Sequence, residues 1–276
     1  MALLALPQPY SFELSTERFR AFGVDRANVW HDGALWRFLA GREVRIREVD
    51  GGVDVEPFDE VIAAEARHLL GAAFDLEAFT RWAARDPVLA RLSVALAGFR
   101  PPLAPDPFEA LVTSITAQQV SLQSAFAIRS RFVERFGLAG RIACAFPERG
   151  RVAAASEEEL VSLGFSRRKA EYVVGLARND VDLDALAGLP DEEIKERLVA
   201  LRGLGEWTAD WFLARHLGRP HAWPAGDLGL RKAVRIFYGE AQDVREAGSR
   251  LQPFQNLSAH YLLTGLRVAP PPEATQ

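Results

Sequence analysis

Apolar and polar residues alternate through the first fifth of the chain. "SFELS" (11–15), "ANVWHDGALWRFLAG" (27–41) and "REVRIREVDGGVDVEP" (42–57) carry the period of two that places every second side chain on one face of a strand. "HDG" and "DGG" sit between the alternating runs as turn signals, so residues 1 to about 56 read as strands in antiparallel hairpins. From Pro57 the spacing becomes helical, in "FDEVIAAEARHLLGAAF" (58–74) and "LEAFTRWAARDPVLARLSVALAG" (76–98). "FRPPLAPDPFEALV" (99–112) is proline-rich and enters a helix at Pro107, with Asp106 as N-cap. Beyond it the punctuation by glycine and proline predicts helices over 107–117, 121–136, 141–145, 156–163, 167–178, 191–200, 206–217, 228–238, 243–249 and 254–265, and no further strand. The expected fold class is α+β, with a small antiparallel sheet module over 1–74, an all-α domain over 75–268 and a disordered tail over 269–276.

Composition narrows this picture without changing it. A 49% hydrophobic and 25% charged chain of 276 residues has a sizeable core. No apolar run reaches the eighteen residues of a membrane span, and "MALLALPQPY" has neither the basic region nor the long apolar run of a signal peptide, so the expected location is cytoplasmic. The single cysteine, Cys144, excludes an internal disulfide and a four-cysteine zinc or iron–sulfur site, and reads as a small packed apolar residue. His31, His68, His216, His221 and His260 show no metal-ligand spacing, and His216 is expected at the surface. A net charge of −4 argues against nucleic acid on its face, but the charge is uneven: arginines gather between Arg129 and Arg151 and again in "SRRKA" (166–170).

Two stretches carry candidate chemistry. In "EEIKERLVALRGLGEWTADWFLARHLG" one helix ends near Ala200, Gly203 and Gly205 permit φ > 0 and close packing, and a second helix starts near Glu206. Such a hairpin turns the amides and positive dipole end of its second helix outward, a site for a phosphate that needs no lysine. A tight helix corner is the plain alternative. The second stretch is "HAWPAGDLGLRKAVRIFY", where Asp227 opens a helix 22 residues after Gly205. Aspartate is a favoured N-cap, and a carboxylate there can also stabilise a developing positive charge and orient a water. The expectation is that one oxygen caps the helix and the other stays free.

Leu201, Gly203, Leu204, Gly205 and Trp207-Thr208-Ala209, followed by Asp227, resemble the helix-hairpin-helix DNA glycosylase superfamily. The strand-rich N-terminal module, "FEALVTSITAQQVS" (108–121) and "LGFSRRKAEYVVGLA" (163–177) are similar to its AlkA-like alkylbase branch. The resemblance implies duplex DNA carrying a damaged base as partner, a working monomer, and hydrolysis of an N-glycosidic bond with Asp227 as the catalytic carboxylate. It implies DNA contacts at Gln118, Gln119, Gly203, Leu204, Gly205 and Thr208, with Gln119 at the place of the residue that wedges into the gap left by the everted base. It implies no required cofactor, and a monovalent cation, Na+ or K+, on the carbonyls of Val199, Leu201 and Gly203. Relatives that cut the backbone carry a lysine where Trp207 stands here, so no strand cleavage is expected. Trp207, Trp211 and Leu228 fall at the base pocket. An indole face attracts cations, which suits a base alkylated on a ring nitrogen; hydrophobic core is the alternative for Trp211. A glycosylase of this fold for another damaged base, and a non-catalytic DNA-binding protein, both remain open.

Overall fold

The computed structural model describes residues 2–269; most of the expected disordered tail lies outside them. Five strands, β1 (Ala2–Ala5), β2 (Val29–His31), β3 (Ala34–Leu39), β4 (Arg42–Val49) and β5 (Gly52–Glu56), form one sheet in the order β1-β5-β4-β3-β2, antiparallel throughout. The tight links follow the turn chemistry. Asp32 and Gly33, then Ala40 and Gly41, all take positive φ, the geometry that matches a two-residue hairpin to the strand twist. Leu4, Leu35, Val44, Ile46, Val53 and Val55 face Ile62, Ala66 and Leu69 of helix α2 (Glu60–Leu69), which buries one side of the sheet.

"SFELS" is not a strand. Ser11 accepts the Leu14 amide and opens a short helix, α1 (Phe12–Thr16), because capping outweighs five residues of alternation.

The helices that follow are α3 (Leu76–Ala83), α4 (Pro87–Ala95), α5 (Pro107–Ala117), α6 (Leu122–Phe136), α7 (Arg149–Ala153), α8 (Glu157–Ser162), α9 (Arg167–Arg178), α10 (Asp191–Val199), α11 (Glu206–Arg215), α12 (Leu228–Tyr238), α13 (Val244–Arg250) and α14 (Gln255–Val268). Their starts are capped as the sequence implies, Asp106 accepting the Glu109 amide and Ser156 closing a capping box with Glu159. The expected helix over 141–145 is instead a loop bridged from Ala139 to Cys144. The Glu43 carboxylate of β4 accepts the amides of Arg141, Ile142 and Ala143, and that fixes a turn. Two helical cores result. Helices α5 to α11 enclose Leu111, Ile115, Phe132, Val173, Leu198 and Phe212. The chain then returns through α12–α14 to pack on α3 and α4 around Phe79, Leu92, Leu230, Val234 and Tyr261. No helix among the described residues is long and apolar enough to cross a membrane.

Much of the arginine-rich stretch is tied up in bonds within the protein, although most of its side chains stay exposed. Arg149 donates to the carbonyls of Ala177, Val181 and Asn179, Arg131 to that of Leu163, and Arg135 pairs with Glu159. His216 is buried, with Nδ1 2.7 Å from the Ala104 carbonyl that His68 also approaches, and not at the surface.

Candidate active site and nucleic-acid interface

The N-terminus of α12 meets the middle of α11. Asp227 caps α12 with Oδ1, which accepts the Leu230 amide at 2.8 Å. Its Oδ2 is not free: it accepts the indole N–H of Trp207 at 2.9 Å and of Trp211 at 3.0 Å. The two indoles converge because they lie four residues apart on one face of α11. A carboxylate offers about four lone-pair positions, so three bonds immobilise it and leave one, on Oδ1, for a water or a sugar.

Trp211 is 2% exposed, and its ring face is already taken. The Arg215 guanidinium, one turn further along α11, lies with its central carbon 3.4 Å from the ring centre. His260 meets the same indole edge-on, and burial, with the neighbouring Arg215 charge, lowers its pKa to about 3. The expected cation-attracting face of Trp211 is thus closed by a protein cation, and Trp211 acts as a buried holder of Asp227. Trp207 is half-buried and Leu228, beside Asp227, is 79% exposed.

Asp227 opens onto a cavity of about 1030 Å³. Trp207, Trp211, Arg215, Leu228, Leu263 and Arg267 form one wall, the α5–α6 loop from Gln118 to Leu122 another, and Arg18, Phe19 and Asp25 of the N-terminal module a third. Continuous with the third wall is a closed ring of buried polar groups. Asp25 pairs with Arg129; Arg129 donates to Glu109 at 2.6 Å; Arg37 donates to the other Glu109 oxygen at 3.0 Å and to Asn28 at 2.8 Å; Asn28 donates back to Asp25 at 2.8 Å. Two cations balance two anions, which ties β3 and the 25–28 loop to α5 and α6. Burial opposes the Glu109 charge, but the two guanidiniums outweigh it and hold the carboxyl below its usual range.

The hairpin joins α10 to α11, with Lys195 and Asp210 paired across it at 3.2 Å. Gly203 has φ +90° and sits against the Tyr172 ring, where a Cβ would overlap it. Gly205 differs from the expectation. Its φ is −117° with ψ 179°, an extended conformation open to any residue, and no atom lies within 4 Å of where its Cβ would stand. The Gly205 carbonyl takes the amides of Thr208 and Ala209, so the amides of Gly205, Glu206 and Trp207 precede the helical ladder and face outward with the dipole. Leu204 and Thr208 are buried, at 5% and 1% exposure, and Thr208 lies at the lining of the cavity.

Gln118 also has an internal role: its Nε2 donates to the Gly203 carbonyl at 3.0 Å and to Thr208 Oγ1 at 3.4 Å, bracing the loop on the hairpin. Gln119 instead projects from the corner, in a left-handed conformation with φ 55°, beside the exposed Val120 and Leu122. A non-glycine residue held there stores roughly 1–2 kcal/mol of strain, a mark of functional loops. Of the carbonyls implied for a monovalent cation, Leu201 accepts from the Leu204 amide and Gly203 from Gln118. Each keeps a second lone pair, so the set still fits a weakly held cation.

Arg18, Arg215 and Arg267 were not singled out from the sequence. Only Arg215 had a local signal, since residues 207, 211 and 215 form one stripe on α11.

A helix-hairpin-helix braced against a capped, indole-held aspartate at the edge of a large cavity defines the architectural class of this chain. The sequence profile of the HhH-GPD superfamily base excision DNA repair protein matches residues 112–253, and the chain belongs to that superfamily. It is 32% identical over 170 residues to a DNA-3-methyladenine glycosylase of Bacillus subtilis, covering 59% of this chain and 56% of that one. Its backbone is similar to that of a 3-methyladenine DNA-glycosylase from Archaeoglobus fulgidus, with a TM-score of 0.86, 28% identity, and coverage of 96% of this chain and 98% of that one. A Schizosaccharomyces pombe 3-methyladenine DNA glycosylase in complex with abasic DNA matches with a TM-score of 0.58 and 25% identity, over 68% of this chain and 95% of that one. The chain spans a little over half the length of the curated relatives it matches.

Proposed function

We propose that this protein is a monofunctional DNA glycosylase of base excision repair, which draws a damaged purine of the alkylated type into the cavity and hydrolyses its N-glycosidic bond. One observation carries the reading: Asp227 is fixed by three donors at the mouth of a cavity that accommodates a nucleotide, beside a hairpin whose outward amides fit a phosphate. As the C1′–N bond lengthens, positive charge grows on the sugar. The carboxylate lies ready to stabilise it, and its remaining lone pair accepts from the attacking water. The indoles and the α12 amide hold the carboxylate in place, so no reorganisation is needed when the charge appears.

Strand cleavage would require an amine at C1′. None of the three lysines lines the cavity: Lys195 pairs with Asp210, Lys169 donates to the Thr116 carbonyl at 2.9 Å, and Lys232 is exposed on α12. Duplex DNA with a damaged base is the partner this reading supplies, and the protein works as a monomer. A Na+ or K+ on the carbonyls of Val199, Leu201 and Gly203 would strengthen the phosphate grip electrostatically.

The test is release of 3-methyladenine and 7-methylguanine from methylated duplex DNA, with strand integrity followed without alkali. Wild type should free the bases and leave the strands whole. Asp227→Asn should lose at least a thousandfold in rate. Its single acceptor cannot serve both the Leu230 amide and the indoles, so a stability loss of about 1–3 kcal/mol is expected too. Undiminished release by a folded Asp227→Asn protein would sink the assignment.

A further inference from the structure

Trp207 and Trp211 give Asp227 Oδ2 the same kind of bond, at 2.9 and 3.0 Å, but their rings stand in different surroundings. Trp211 is buried and carries the Arg215 guanidinium on its face, with the central carbon 3.4 Å from the ring centre. Residues 211 and 215 lie one turn apart on α11, so helix geometry brings the two side chains together. Among the described residues that guanidinium has no hydrogen bond or ion pair, its Nε is buried, and no cation lies on the Trp207 ring. A buried polar group without a partner is costly and calls for a compensating interaction. Desolvation, then the Arg18 charge, lower the Arg215 pKa well below its ordinary value, and Asp227 is the carboxylate that pulls the other way. His260 meets the Trp211 ring edge-on and is held neutral by its burial, so Arg215 is the cation in contact with this indole.

We propose that Arg215 is a positioning residue, which acts on Asp227 through the Trp211 indole by strengthening the N–H bond that fixes the carboxylate. A cation on the ring face draws π density toward itself and leaves the indole nitrogen and its hydrogen more positive. A more positive N–H is a stronger donor to an anion, and the two contacts reinforce each other as bonds in a chain do. A guanidinium bonded directly to Asp227 would compete for the lone pair that remains for a water; acting through the ring leaves it open. The catalytic consequence rests on the glycosylase reading above, whereas the bond itself does not.

The bond is read without DNA, from the indole N–H signals of isotope-labelled protein in NMR spectra. The signals of Trp207 and Trp211 are identified by their loss in Trp207→Phe and Trp211→Phe. Arg215→Met keeps the bulk of the side chain and removes its charge, so the Trp211 signal should move to higher field while the Trp207 signal stays. Arg215→Lys restores a cation and should bring the Trp211 signal back toward wild type. A Trp211 signal that stays in place in Arg215→Met, or that moves as far in Arg215→Lys, overturns the proposal.

Single-turnover release of 3-methyladenine reads the consequence. Arg215→Met should slow release about fivefold, and Arg215→Lys less. A packing role would give the reverse order, since Met fills an apolar site better than an ammonium does. In the Trp211→Phe background, where a ring remains but the N–H is gone, Arg215→Met should add less than about a twofold loss. The full loss in that background, a rate for Arg215→Met equal to wild type, or Arg215→Lys slower than Arg215→Met each overturns the proposal. If wild type releases no base, the glycosylase reading fails, and the Trp211 signal alone decides the role of Arg215.

Discussion

Replacing each hairpin glycine with alanine should separate folding from DNA grip. At position 203 alanine meets two penalties. The backbone is left-handed, at φ +90°, which costs an L-residue about 1–2 kcal/mol, and the new methyl overlaps the root of the Tyr172 ring rather than a movable tip. Tyr172 packs against the helical core, so relieving the overlap costs a further 1–3 kcal/mol or so, as overpacking does. The sum, about 3 kcal/mol, corresponds to a Tm loss of roughly 6–12 °C for a chain of this size. At position 205 neither penalty applies, because the backbone is extended and the space is open. Gly205→Ala should melt within about 2 °C of wild type, yet weaken binding to every duplex about tenfold, damaged or not, since its methyl stands where a phosphate must approach. Thermal melting and fluorescence anisotropy on matched damaged and undamaged duplexes supply both readouts. The reasoning fails if Gly203→Ala melts like wild type, or if Gly205→Ala binds all duplexes as tightly as wild type does.

Three further outcomes follow from the hydrogen bonds. Trp211→Phe should slow base excision 10- to 100-fold, about 1.4–2.7 kcal/mol in the barrier, while Trp207→Phe should cost less, because Trp207 is half-exposed and water can replace its N–H. Equal rates in the two variants under single turnover would show that the α12 cap alone positions Asp227. Glu109→Gln should destabilise the protein by about 3 kcal/mol at pH 7, since it removes the shared partner of Arg37 and Arg129. The Glu109 contribution is complete above its unfolded value near 4.5 and is lost as pH falls through its depressed folded value, so the gap to wild type should close in that acid window. A gap in urea-unfolding stability that stays constant down to pH 3 would refute that cause.

The parts of this fold legible in the sequence are those that local chemistry decides. Hairpins appeared where Asp-Gly pairs separate alternating runs, and most helix starts where Asp or Ser precedes an apolar period. The failures had competing partners. "SFELS" followed its cap into a helix, and residues 141–145 turned around the Glu43 carboxylate, a hundred residues away in the chain. Within the site, Asp227 was legible as a cap and a carboxylate, but its two indole partners were not. That bond requires α11 and α12 to meet, and no spacing states the angle at which they do. For the same reason the bonds from Gln118 to the hairpin and the burial of Leu204 and Thr208 could not be read from the sequence.

By itself the sequence determined the sheet-then-helices order, the glycine-marked hairpin, and a carboxylate at the head of α12. Each depends on φ preference, capping or periodicity over a few residues, which the chain carries wherever it folds. Only the tertiary structure decided what surrounds that carboxylate: two indoles on one oxygen, Arg215 over Trp211, Arg18 brought to the same cavity from the N-terminal module, and the buried ring from Asp25 to Arg129. Desolvation and charge pairing depend on distances between groups far apart in the chain, and those distances exist only once the helices have packed.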